Sequence, residues 1–177
     1  MSSLSNVSDA ALRKLLGNQC LTKATLAINA GGAATIKTTG ATIYCIDGVL
    51  YSKAALAAQS FAVTHNAFGE TVGGSQPAAY VQPALTTVFY LVCLNAAGAV
   101  AIVQGSFAGQ SIAYPGDLSK VLTGQGGLPI EPEGYTAIGV IKIALAGAAT
   151  FTPGTTALDA ANVTATYYDV SRLPASL

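Results

Sequence analysis

From Ala41 onward, apolar and polar residues alternate over short runs broken by turn residues. The run ATIYCIDGVLYSK (41–53) reads as a hairpin, with Asp47-Gly48 between two β-branched and aromatic flanks. A two-residue type I′ turn needs positive φ at both central positions, which Asp tolerates and Gly accepts freely. Ile43, Tyr44, Cys45 and Ile46 run together, whereas a hairpin with one wet face alternates apolar with polar. The hairpin is therefore predicted to have two dry faces, the second of which something must cover. TTVFYLVCL-NAAG-AVAIVQGS predicts a second hairpin and YTAIGVIKIAL-AGA-ATFTPG a third. A last strand is predicted over Val163 to Val170. Residues 54–68 are ambiguous between a helical turn and a strand, and 69–83 and 107–134 read as Gly- and Pro-rich loops.

The first forty residues follow a different pattern. SDAALRKLLGN predicts a short helix over about 8–17, with Ser8 as N-cap, Gly17 as terminator and Ala11, Leu12, Leu15 and Leu16 forming one apolar stripe. A helix this short needs a surface to dock on, either its own domain or a partner, so these four residues are the candidate partner-binding positions. Two weak strands follow, around Ala24 to Ile28 and Ala34 to Thr38. The predicted organisation is an N-terminal arm over 1–40 and a β-domain over 41–177. The fold class is mainly β: a small antiparallel sandwich or jelly-roll-like barrel built from hairpins.

Composition sharpens this picture. Only 9% of the 177 residues are charged, net charge is zero, and 51% are hydrophobic. A typical soluble protein carries about 25% charged residues. No Asp, Glu, Lys or Arg occurs from Thr71 to Gly116. With so little charge to keep copies apart, a free monomer would self-associate, so an assembly subunit is expected. The most apolar segment, 88–103, is shorter than the ~20 residues of a membrane-spanning helix and is interrupted at Asn95-Ala96-Ala97-Gly98. The N-terminus lacks the basic start and apolar core of a secretory signal. Zero net charge without a basic cluster leaves no footprint for nucleic acid.

Candidate chemistry is sparse. His65 is the single histidine, no serine lies in a G-x-S-x-G elbow, and Gly124 to Gly127 lacks the Lys-Ser/Thr of a phosphate loop. Glu131 and Glu133 sit between prolines in a predicted solvated turn, unlike glycosidase carboxylates, which come from separate elements. No catalytic, cofactor or metal site is expected, nor is any one of His65, Asp117, Glu131, Glu133 or Asp159 expected to be indispensable beyond folding. Cys45 and Cys93 lie in apolar runs where thiols serve as small hydrophobes. Cys20 lies outside them, which leaves an intersubunit disulfide open.

The segments IYCIDGVLYSKAA, VFYLVCLNAAGAVAIVQG, LPIEPEGYTAIGVIKI and FTPGTTALDAANVTATYYDVSRLP resemble structural proteins of tailed bacteriophages, above all capsid decoration (cement) proteins and head-fibre or tail-fibre modules. The resemblance spans Ala41 to the C-terminus and rests on hairpin and turn patterns, so no functional residue carries over. It implies a homotrimeric, non-enzymatic β-domain on the outside of a phage head, with the major capsid protein as partner and a terminal arm along the shell. Localisation would be the virion, after synthesis in the host cytoplasm. The alternative is a fibre or receptor-binding module that contacts host glycans, favoured if the 107–134 loop binds a ligand.

Overall fold

A computed structural model describes residues 17–72, 80–106 and 127–171. The chain is mainly β, as expected. Its strands are β1 (Gln19–Cys20), β2 (Leu26–Ile28), β3 (Thr35–Thr38), β4 (Thr42–Ile46), β5 (Val49–Lys53), β6 (Gln59–Ser60), β7 (Thr87–Asn95), β8 (Val100–Gln104), β9 (Tyr135–Leu145) and β10 (Val163–Asp169). They form three antiparallel sheets, ordered β1-β4-β5, β2-β3-β6 and β10-β9-β7-β8, and no sheet closes into a barrel.

Turn chemistry accounts for two of the three predicted hairpins. Asp47 and Gly48 have φ of 50° and 76°, as a type I′ turn requires, and Ile46 pairs with Val49 across it. Between β7 and β8, the Asn95 carboxamide oxygen accepts from Ala97 N–H (3.0 Å) and Ala99 N–H (2.9 Å), and Gly98 supplies φ of 73°. The third hairpin is corrected. Beyond Gly147 the chain does not return along β9; Phe151 forms an isolated bridge with Gln82, and β10 pairs with β9 instead. Pro153 follows closely, and a residue without an N–H cannot extend a ladder, while Phe151 is fully buried in the core.

The four-stranded sheet is dry on both faces. One face (Val88, Tyr90, Val92, Leu94, Ile102, Ile141 and Ile143) joins Tyr44 and Ile46 of β4, Leu26 and Ile36 in the main core. The other carries a smaller cluster of Leu91, Cys93, Ala101, Val103, Ala137 and Val140. A bulge sets this division. Val92 pairs with Gly139 but Cys93 pairs with Ala137, leaving Ile138 as an extra residue. Side chains alternate with period two, so one inserted residue switches which parity faces the core. Hence Ile138, Ile141 and Ile143 share one face while Ala137 and Val140 share the other. Gly139 has no Cβ for a packing reason: one there would run into Leu26 Cδ1 and sit 2.7 Å from the Tyr168 carbonyl oxygen.

The predicted arm boundary at Gly40 does not coincide with a break in packing. β1 pairs with β4, β3 with β6, and Cys20, Ala24, Leu26 and Ile36 belong to the main core. Asn18 donates from its carboxamide to the Tyr135 carbonyl (2.8 Å), and its oxygen accepts from Asp47 N–H (3.0 Å), tying the segment before β1 to the first hairpin and to β9. Small residues hid this, because a Thr/Ala/Gly stretch has little hydrophobic contrast to read. The predicted helix over about 8–17 lies outside the described residues apart from Gly17.

Candidate interaction surface

The first hairpin uses only one of its two apolar faces internally. Tyr44 and Ile46 point into the core, and Tyr44 stacks on Tyr51 at 5.7 Å. Tyr44 also donates to the Asn95 carbonyl at 2.9 Å, which fastens the hairpin to the β7–β8 turn. On the opposite face Cys45 is buried, but Ile43 is 41% exposed and Leu50 65%. Val49, beside the turn, is also exposed. β5 is the outer strand of its sheet, and among the described residues no backbone bond reaches it from the far side. An outer strand with free N–H and C=O groups, two exposed aliphatic residues and no proline is a template for another strand.

A second outer strand is β10, which among the described residues pairs only with β9. Its core-facing residues Val163, Ala165 and Tyr167 are only half-buried, whereas Ile141 and Ile143 of neighbouring β9 are fully enclosed. Beside β10 runs an open groove of about 330 Å³ lined by Ile28, Leu158, Asp159, Val163, Thr164, Ala165 and Tyr167. The Asp159 carboxylate stands on its wall, accepting the Gly32 N–H (2.9 and 3.0 Å to its two oxygens). Burial, with Asp159 nearby, pushes the Tyr167 hydroxyl up to about 12. The far end of β10 is held by Asp169, which accepts from Leu26 N–H at 2.9 Å and pairs with Lys23 at 3.7 Å.

Further apolar exposure lies on loops. Leu85 is 76% exposed and holds φ of 60°, a left-handed conformation that costs a branched residue free energy. Leu128 and Ile130 face solvent while Pro129 and Pro132 between and after them pack inward.

Of the polar residues considered for chemistry, His65, Glu131 and Asp159 make contacts within the fold, and Asp117 lies outside the described residues. His65 is buried, with Nδ1 2.9 Å from the Thr64 hydroxyl and its ring edge-on to Tyr135 at 5.4 Å, and burial lowers its pKa. Its backbone lines the free side of β8: His65 N–H donates to the Ile102 carbonyl and its carbonyl accepts from Gln104 N–H, both at 3.2 Å. Glu131 accepts from Ala137 N–H at 3.1 Å, capping the start of β9 next to the bulge, and burial raises its pKa. It makes no pair with Glu133. Inside the core, Gln82, Tyr90 and Gln104 satisfy one another: Tyr90 donates to Gln82 (3.2 Å) and Gln104 donates to Tyr90 (2.9 Å). Gln82 also donates to the Thr86 and Ile143 carbonyls, both at 3.0 Å. A buried network with every member bonded favours one core arrangement.

All three cysteines are buried free thiols. Burial pushes Cys20 up to about 11 and Cys93 well above its usual range. Cys20 contacts the Thr22 carbonyl at 3.0 Å and is 2% exposed. An intersubunit disulfide through it would need β1 to open. Among the described residues no group of three or more His, Cys, Asp or Glu is placed to hold a metal, and no helix is long and apolar enough to cross a membrane. The apolar segment 88–103 is the β7–β8 hairpin.

The partner-binding candidates Ala11, Leu12, Leu15 and Leu16 lie outside the described residues. The sequence pattern missed Leu50, Leu85 and the groove beside β10. Leu50 and Ile43 looked like core residues because exposure of an outer strand depends on sheet order, which local pattern does not carry. Against known proteins, no family model, curated protein or solved structure matches the chain.

Proposed function

We propose that this protein is a non-enzymatic virion structural protein of the capsid-decoration type, a homotrimer that binds the outside of a phage head and stabilises its lattice. The observation that carries the reading is the outer face of the first hairpin. Ile43 and Leu50 stay open on a chain with 9% charged residues and zero net charge, a surface suited to contact with other copies and with a shell. A cement protein needs no reactive group. It binds the assembled lattice and not the separate subunits, so mass action favours the assembled state. Its partners would be copies of itself and the major capsid protein. The apolar stripe Ala11, Leu12, Leu15 and Leu16 supplies a shell contact in this reading, and three arms on one trimer would act multivalently.

The test is co-sedimentation of the purified protein with expanded phage heads, with host cells as the parallel arm. Saturable binding to heads supports the reading. Binding to cells that soluble glycans compete away, without binding to heads, overturns it in favour of a fibre or receptor-binding module.

A further inference from the structure

The two open edges, β5 and β10, sit on different sheets of one chain and differ in what they offer. Among the described residues β10 pairs only with β9, and beside it lies a groove lined by Val163, Ala165, Tyr167 and Asp159 together with Ile28 of β2. β5 presents an outer edge without a partner among the described residues, with exposed aliphatic residues and one cation, Lys53, at its C-terminal end. We propose that β5 of one copy pairs antiparallel with β10 of the next, so that the four-stranded sheet of each subunit continues into the first hairpin of its neighbour. The proposal rests on the reading of the chain as an assembly subunit and specifies the contact that builds the oligomer.

Three observations commit the groove to a second copy. Among the described residues every pair of named strands is antiparallel, the one parallel contact being the isolated His65–Val103 bridge, and an antiparallel addition brings Lys53 to the Val163 end of β10, where Asp159 stands. Opposite charges then meet at an otherwise apolar contact. The parity also matches. With Tyr51 opposite Ala165, the core-facing residues Val49, Tyr51 and Lys53 fall beside the core-facing Tyr167, Ala165 and Val163. The outward pair Ser52 and Thr164 faces the other side. Finally, zero net charge leaves no long-range repulsion between copies. Strand addition gives main-chain bonds, with side chains entering the groove for specificity. Because the two edges are different surfaces, the contact is head-to-tail and can close a ring, as a trimer requires, where a self-complementary patch would give a dimer.

The decisive experiment mixes two edge-blocked variants, Leu50→Lys on β5 and Ala165→Lys on β10, and follows mass by light scattering. Each variant alone is expected to be monomeric. Their equimolar mixture should form a heterodimer, since one intact β5 meets one intact β10. If Ala165→Lys alone still dimerises through β5, or both variants keep the parent's oligomeric mass, the head-to-tail pairing is wrong. The assembly-subunit reading survives that result. A monomeric parent protein would overturn both. Should either lysine variant lose its cooperative melt, conservative cysteine trapping decides instead. Copies carrying Ser52→Cys, mixed with copies carrying Thr164→Cys and oxidised, should form a mixed disulfide across the new pair. Neither variant should form one with itself, because head-to-tail pairing sets position 52 of one copy against position 164 of the next, and the native thiols are buried. Absence of the mixed product, or a Ser52→Cys homodimer, overturns the proposal.

Discussion

At the scale of single residues, the fold depends most on positions where backbone shape leaves little choice. Gly48 has φ of 76° in a turn that sets the register of the first hairpin, and a β-branched residue resists that geometry. Gly48→Val should destabilise by about 1–3 kcal/mol, read as a clear drop in melting temperature; a melt within a degree of the parent would contradict the type I′ turn. Leu85 is the converse case. Its left-handed φ of 60° costs roughly 1–2 kcal/mol for an L-residue, and it is mostly exposed, so Leu85→Gly should leave the melting temperature unchanged or higher. A large loss would mean that Leu85 packs in the folded molecule. Cys20 links structure to pH. Its thiol is held at about 11 instead of 9.0 by burial, so the unfolded chain loses that proton first as pH rises. The contribution is full below about pH 9 and is lost as pH climbs towards 11. Thermal melts across that range should show stability falling, less steeply in Cys20→Ala, and thiol reagents at neutral pH should label the folded protein far more slowly than the unfolded one.

At the scale of elements, residues 17–40 pack with the rest of the described chain. Because Asn18 bridges Tyr135 and Asp47, and Cys20 belongs to the core, deletion of residues 1–16 should leave a cooperative melt close to the parent's. Deletion of residues 1–20 should lower it by several degrees through loss of β1. Loss of the melt on removing 1–16 alone would place the arm in the domain core and move the shell contact to the β-domain's loops. The elements legible in the sequence were those with local signals. Asp47-Gly48 and Asn95 to Gly98 announced their hairpins, and the run 163–170 announced β10. What was not legible was partner choice. β9 pairs with distant β10 and not with the following ATFTPG segment, because Phe151 is drawn into the core and Pro153 ends any ladder. Likewise β1 and β6 are two residues long, and they exist only because β4 and β3 offer them an edge. The bulge at Ile138 left no mark of its own, since both residue parities along β9 are apolar.

At the scale of the whole molecule, the proposed association rests on what the fold leaves open. Charge contributes little to holding the chain together: among the described residues a single ion pair, Lys23–Asp169, is present, with Lys23 largely exposed, and exposed pairs are worth about 0–1 kcal/mol. Stability rests on two apolar clusters and a satisfied buried network, while Ile43, Leu50 and the groove beside β10 remain open. In the proposed reading as an assembly subunit, these are the places where another copy would bind. Light scattering on the purified protein at micromolar concentration tests this most directly. The account predicts one discrete species at about three times the 17.7 kDa chain mass, whereas a stable, monodisperse 17.7 kDa monomer would contradict it.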